Sequence, residues 1–254
     1  MFTRAMVRQP AKSLVHGLTS ANLGHPDYEL ALAQHQHYVE MLRACDLEVT
    51  VLPPADEFPD SCFIEDPALL TNHGAILTRP GALSRIGEVV LNREAIAAFY
   101  GENIKEITAP GTLDAGDVLR VDNHFYIGLS KRTNQEGAKQ LIHILTHYEY
   151  TASVVPLKEA LHLKTGISYL DKGNLLVSGE FINHPEFRLL QQHVIDEEES
   201  YAANCLLIND IVLMPAGFPK TRHLISSLGY DIIEVDVSEF RKLDGGLSCL
   251  SLRF

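Results

Sequence analysis

The chain has 254 residues, 46% hydrophobic and 21% charged, a globular mix with ample core material. Its net charge of −12 repels nucleic acid and anionic lipid, and no stretch approaches the roughly 20 apolar residues of a membrane span. The start, Met1-Phe2-Thr3-Arg4-Ala5-Met6, lacks the apolar run of a signal peptide, so the expected address is the cytoplasm; Cys45, Cys62, Cys205 and Cys249 are scattered and form no CxxC, which argues against a disulfide frame or a zinc ribbon.

In chain order, a helix is expected near 26–45, followed by a strand at Glu48-Val49-Thr50-Val51-Leu52. Leu69-Leu70-Thr71 and Ala75-Ile76-Leu77 flank Asn72-His73-Gly74 as a hairpin, and a helix over 88–100 follows with Val89, Ile96 and Tyr100 inward. A second hairpin turns at Asp122-Asn123-His124. Ala138, Leu141, Ile142 and Leu145 then fall at i, i+3, i+4 and i+7, one face of a helix. A third hairpin turns at Asp171-Lys172-Gly173-Asn174 and a fourth at Asn209-Asp210. Thr221, Leu224, Ile225 and Leu228 mark another helix before the strand Tyr230–Val235. Asn, Asp and Gly at these tips suit the positive φ of tight turns. The turns begin near 72, 122, 171 and 209, a period of about 40–50 residues, which suggests a repeat of hairpin, helix and strand. The first repeat lacks its hairpin. A C-terminal strand paired with one around Met6-Val7 supplies it, closing a ring of five and bringing Cys249 to its centre. No linker interrupts the series, so residues 1–254 are expected to form a single catalytic domain.

Three kinds of residue carry candidate chemistry. Cys249 follows Gly245-Gly246-Leu247-Ser248, where glycines allow close backbone approach to a ligand. With His162 and Asp114 it supplies a thiol, an imidazole and a carboxylate: a nucleophile, a proton shuttle and an orienter. The run Pro59-Asp60-Ser61-Cys62-Phe63-Ile64-Glu65-Asp66-Pro67 gathers three carboxylates in seven positions. Such a cluster is either a solvated acidic turn or an acceptor set for a planar guanidinium, with Phe63 as a cation–π face. Cys62 is a rival thiol inside that cluster. Arg85 and Arg132 lie just beyond successive hairpins, where they serve either as surface charges or as a clamp on a substrate carboxylate. A guanidinium at one end and a carboxylate at the other describe an arginine-like substrate.

These residues resemble the dimethylarginine dimethylaminohydrolase family, within the guanidino-modifying (pentein) superfamily. The resemblance spans essentially the whole chain. It rests on the 59–67 run, Leu113-Asp114-Ala115-Gly116-Asp117, Gly128-Leu129-Ser130-Lys131-Arg132-Thr133-Asn134, Leu161-His162-Leu163-Lys164-Thr165, Ala202-Ala203-Asn204-Cys205 and Gly245-Gly246-Leu247-Ser248-Cys249. It implies a five-bladed pseudo-symmetric α/β propeller, the pentein fold, with a central active site. It also implies Cys249 as nucleophile, His162 as acid/base and Asp114 as its partner, with Asp60, Glu65, Asp66, Arg85, Arg132 and the backbone of Leu18 on the substrate. The implied substrate is a small cationic amino acid, a methylated arginine hydrolysed to citrulline and a methylamine through a covalent thiouronium. No metal, organic cofactor, nucleic acid or membrane is implied, and the chain is expected as a monomer or homodimer. Members carry Glu or Asp at the place of Asp114. The alternatives are an arginine deiminase, which carries His-Leu-Asp where this chain has His162-Leu163-Lys164, and an arginine-derivative binding protein with a dead site. A dimethylated nitrogen has no N–H to donate, so Lys164 in place of an acceptor favours a methylated substrate.

Overall fold

The computed structural model describes residues 1–254. It contains five sheets of three strands each. Three follow one scheme in sequence order: β3 (Ala68–Leu70), β4 (Ala75–Leu77) and β5 (Ile104–Glu106); β6 (Val118–Val121), β7 (His124–Leu129) and β8 (Thr151–Pro156); and β9 (Ile167–Asp171), β10 (Asn174–Val177) and β11 (Gln191–Val194). In each, two strands form an antiparallel hairpin and the third returns parallel to the second. The fourth hairpin, β12 (Leu206–Ile208) and β13 (Ile211–Pro215), is joined in the same way by β14 (Asp231–Val235). In the remaining sheet β1 (Arg4–Arg8) pairs parallel with β2 (Glu48–Leu52) and antiparallel with β15 (Leu252–Arg253), with Ala5 opposite Arg253 and Met6 opposite Leu252. The missing hairpin is therefore supplied by the C-terminus, as the sequence led one to expect. Five copies of one connectivity match the expected α/β propeller class.

The middle strands β4 and β13 are largely buried, whereas the returning strands β2, β5 and β11 contain no buried residue. The crossovers are helices in four repeats: α1 (Tyr28–Ala44), α2 (Glu88–Tyr100), α3 (Gln135–His147) and α4 (Pro219–Ser227). A short α5 (Ser238–Arg241) precedes the C-terminal turn. In α3 the expected stripe is buried at Ala138, Leu141 and Leu145, and Asn134 caps the helix by accepting from Gly137 N at 2.8 Å. The third repeat departs from the expected pattern. Two 3₁₀ turns, Gly179–Phe181 and Pro185–Phe187, replace the helix. Positive φ at Gly179 and Asn183, then Pro185, interrupt any helix here, and Phe181 and Phe187 fill the core instead. Hairpin tips do use positive φ at Asp122, Gly173 and Asn209, but also at Lys172.

Contacts gather in two compact units, Met1–Ile64 with Ile195–Phe254, and Glu65–Val194. The first has a core around Tyr38, Leu42, Phe63, Phe240 and Leu247. The second has cores around Phe125, Leu141 and Leu145 and around Ile167, Leu175 and Phe187. No helix is long and apolar enough to cross a membrane.

Candidate active site

In the second unit a buried polar cluster forms around His162. Its Nε2 lies 3.0 Å from Asp114 Oδ2 and 3.9 Å from Asp66 Oδ1. The shorter aspartate at 114 thus does reach the imidazole. Asp114 Oδ1 accepts from Gly81 N at 2.8 Å, and Asp66 Oδ1 accepts from Gly116 N at 3.0 Å. Gly116 has to be glycine, since a Cβ there would lie 2.7 Å from Asp66 Oδ1 and 2.8 Å from His162 Nδ1. Burial works against a charge on His162, but Asp66, Asp114 and Asp117 outweigh it and raise its pKa to about 9. Burial likewise opposes the Asp66 anion, yet His162 and Arg85 overcome it and pull the carboxyl down to about 2. At neutral pH these shifts favour an imidazolium at His162 against a carboxylate at Asp66.

Asp117 fixes the geometry from behind. Its Oδ1 accepts from Leu163 N at 2.9 Å, and its Oδ2 accepts from Ser130 Oγ at 2.6 Å and Thr133 Oγ1 at 2.7 Å. Desolvation raises its pKa against those hydrogen bonds. The Asp-Ala-Gly-Asp motif contains it, but only the fold shows that it anchors the backbone beside His162.

Arg85 is 5% exposed, with Nη1 2.5 Å from Asp66 Oδ2 and Nη2 2.8 Å from Glu88 Oε2. The carboxylates that grip it belong to the protein. This pairing also explains why the buried face of α2 carries Glu88 and Asn92 beside Ile96, while Val89 and Tyr100 are only half-buried. Removing one partner leaves a buried charge uncompensated. Arg85→Ala is thus expected to destabilise the fold by about 3–5 kcal/mol, read as a lower urea midpoint; an unchanged midpoint would contradict the pairing. Lys164 Nζ lies 2.6 Å from Glu65 Oε1. Arg132 follows Ser130, whose Oγ accepts from Arg132 N at 3.0 Å, and its half-buried guanidinium makes no ion pair within the chain.

In the first unit Cys249 sits half-buried on the 3₁₀ turn Leu247–Leu250, after an extended Gly246. Asp60 is buried and its Oδ1 accepts from Leu18 N at 2.9 Å. Phe63 lies in the core, edge-on to Phe240 at 6.2 Å, and its ring lies against Gly245. Cys62, the rival thiol, is fully buried in the same core.

The arginine deiminase family model matches residues 28–205. N(G),N(G)-dimethylarginine dimethylaminohydrolase of Pseudomonas aeruginosa is 55% identical over 254 residues, covering all of both chains. This chain belongs to the dimethylarginine dimethylaminohydrolase family. The fold agrees at full coverage of both chains: the C249S mutant of the Pseudomonas aeruginosa enzyme, complexed with citrulline, superposes with a TM-score of 0.99 at 54% identity. An H162G dimethylarginine dimethylaminohydrolase adduct with S-methyl-L-thiocitrulline gives the same TM-score, identity and coverage. The five-bladed α/β propeller that the resemblance implied, and with which the repeats agree, is the fold class of this family.

One further arrangement concerns metals. Asp66, Asp114 and His162 each bring a ligand atom within 4.8 Å of the others. The two carboxylates already accept from Gly116, Gly81 and Arg85, and His162 Nε2 faces Asp114 Oδ2 at 3.0 Å. This set suits proton transfer.

Proposed function

We propose that the chain hydrolyses Nω,Nω-dimethyl-L-arginine and Nω-methyl-L-arginine to L-citrulline and di- or monomethylamine. The observation that carries this reading is the buried imidazole of His162, its Nε2 3.0 Å from Asp114 Oδ2 and 3.9 Å from Asp66 Oδ1. Cys249 is the nucleophile. Its thiolate adds to the guanidinium carbon, forming a C–S bond. His162 gives its proton to the methylated nitrogen, the C–N bond breaks and the amine leaves. The neutral imidazole then takes a proton from water as the water oxygen adds to the thiouronium carbon. Breaking the C–S bond restores the thiolate and, as the hydroxyl proton passes to solvent and so to the departed amine, releases citrulline. Asp66 and Asp114 hold the guanidinium N–H groups and offset its charge through the tetrahedral stages.

The C249S and H162G forms of relatives support these roles, because both numbers fall on Cys and His here. S-methyl-L-thiocitrulline loses a thiol, which departs without a general acid. An adduct in an enzyme lacking that histidine is what failed water activation would leave behind.

The substrate carboxylate goes to Arg132. Arg85, engaged by Asp66 and Glu88, instead orients Asp66. Asp60 and the Leu18 carbonyl receive the ammonium end. Lys164, paired with Glu65, presents no acceptor to the far nitrogen, which suits a methylated guanidinium over arginine. Residues 1–254 act as a single catalytic domain, as a monomer or homodimer in the cytoplasm, without metal, cofactor, nucleic acid or membrane.

Citrulline release measured with arginine, monomethylarginine and dimethylarginine tests the reading. Turnover of both methylated substrates and little of arginine is expected; the reverse order would make it a deiminase, and no turnover would leave only binding. Arg132→Ala should raise KM roughly 10- to 150-fold, the loss of a charge-assisted contact of about 1.5–3 kcal/mol, with kcat little changed. A defect confined to kcat would remove Arg132 from the clamp.

A further inference from the structure

Ala202-Ala203-Asn204-Cys205 is the one sequence motif to which the mechanism gives no task. Asn204 is 5% exposed and faces the nucleophile turn of its own unit. Its Oδ1 accepts from Ser248 N at 2.9 Å, and its Nδ2 donates to Ser248 Oγ at 2.8 Å. The backbone N–H can only donate, so the amide orientation is settled: oxygen toward Ser248 N, nitrogen toward Ser248 Oγ. The Ser248 oxygen accepts from Asn204 Nδ2, and its own hydrogen needs a partner. Ser248 is 3% exposed, so water does not readily supply one. Cys249 Sγ, at 3.9 Å from Ser248 Oγ, is the acceptor present.

The turn around this contact is tied down on several sides. Tyr38, fully buried in α1, donates to Leu247 O at 3.0 Å; Arg253 Nη1 reaches Ser248 O at 3.2 Å; and Tyr201 OH donates to Gly245 O at 2.8 Å. Gly246 is where Asn204 enters, since a Cβ there would lie 2.6 Å from Asn204 Oδ1. A side chain at 246 would displace the residue that orients Ser248.

We propose that the Ser248 hydroxyl is a catalytic hydrogen-bond donor to the Cys249 sulfur, and that Asn204 is the positioning residue that turns its hydrogen that way. This rests on Cys249 being the nucleophile. The donor acts twice, when the thiolate forms for attack and when the sulfur departs in the last step. In both, sulfur carries negative charge that a donated hydrogen bond stabilises.

The test follows the Cys249-dependent thiolate absorbance against pH, with Cys249→Ser as the blank and thermal melting to confirm folding. Ser248→Ala should raise the midpoint by at least about half a pH unit, through loss of a hydrogen bond to the charged form, and slow alkylation by iodoacetamide at neutral pH. Ser248→Thr, which keeps the hydroxyl, should restore both. Asn204→Asp keeps the acceptor for Ser248 N but puts a second acceptor where Nδ2 donated. It should pull the Ser248 hydrogen off sulfur and raise the midpoint further. Part of that rise is plain charge, so Asn204→Asp should shift the midpoint less when Ser248 is already Ala. A Ser248→Ala midpoint equal to the parent's, or equal Asn204→Asp shifts in both backgrounds, would overturn the proposal even if Ser248→Thr fails to fold. Methylarginine turnover that survives in Cys249→Ser would instead remove the nucleophile assignment itself.

Discussion

Cys249→Ser should abolish methylarginine turnover, lowering kcat by a factor of about 10⁴ or more, the scale on which nucleophile deletions act. The change exchanges one atom on a half-buried side chain whose turn is held through backbone carbonyls by Tyr38 and Arg253. Its melting temperature should therefore stay close to the parent's. Substrate binding should also persist, because the groups proposed to hold the guanidinium, Asp66 and Asp114, are pinned by Gly116, Gly81, Arg85 and His162 rather than by the thiol. An alcohol is a far poorer nucleophile than a thiolate, so loss of rate with retained affinity is the signature of a missing nucleophile. Citrulline production by stopped assay gives the first quantity and calorimetric titration of dimethylarginine the second. Residual activity near the parent's would move the chemistry to another group. Cys62 is poorly placed to be that group, since it is fully buried in the core with Phe63 and Phe240. Loss of affinity together with rate would mean that Cys249 shapes the site instead of reacting in it.

The features that local pattern encodes were readable from the chain alone. Alternating apolar runs with Asn, Asp or Gly tips gave the hairpins, and the i, i+3, i+4, i+7 stripe gave α3. The absent first hairpin pointed to pairing of the two termini, which β1 and β15 make. What escaped depends on partners far apart in sequence. Glu88 on the buried face of α2 makes no sense until Arg85 and Asp66 meet it. The reach of Asp117 to Leu163 N spans 46 positions, and that of Asn204 to Ser248 spans 44. Such polar pairs carry no period, so hydropathy is blind to them. The third repeat failed for a different reason: its hairpin implied a helix by analogy, but Gly179, Asn183 and Pro185 set local backbone preferences that a repeat argument ignores. The candidate site residues were found through ordered motifs, whose contents name the chemistry, yet the motifs alone did not say that Arg85 is held by the protein's own carboxylates.

His162→Gly should lower kcat by about 10²–10⁴, since both half-reactions of the proposed mechanism use its proton. The two halves are separable by leaving group. With dimethylarginine the variant lacks the acid that expels the amine, so no covalent adduct should build up. With S-methyl-L-thiocitrulline the thiol departs unaided, and the thiouronium should persist because no base activates water. Intact-mass spectrometry of quenched samples distinguishes the two outcomes; an adduct of equal yield from both substrates would show that His162 is not the acid. The protonation state behind this is itself measurable. In the folded chain Asp66, Asp114 and Asp117 raise His162 to about 9 against its burial, above an ordinary histidine near 6.5. A raised folded-state value means that the group stabilises the fold fully below about 6.5 and that this contribution fades as pH climbs through about 9. Urea midpoints of the parent should therefore drop across that window more steeply than those of His162→Gly. The leaving-group step needs the imidazolium, so kcat should show an alkaline limb. A bound guanidinium cation repels the imidazolium charge, which places that limb below the titration of the free enzyme. Nuclear magnetic resonance of the His162 ring proton across pH, assigned by its absence in His162→Gly, reads the free-enzyme value directly. A titration near 6.5 would mean that His162 enters the reaction neutral, and the carboxylates around it would then need a role other than holding its proton.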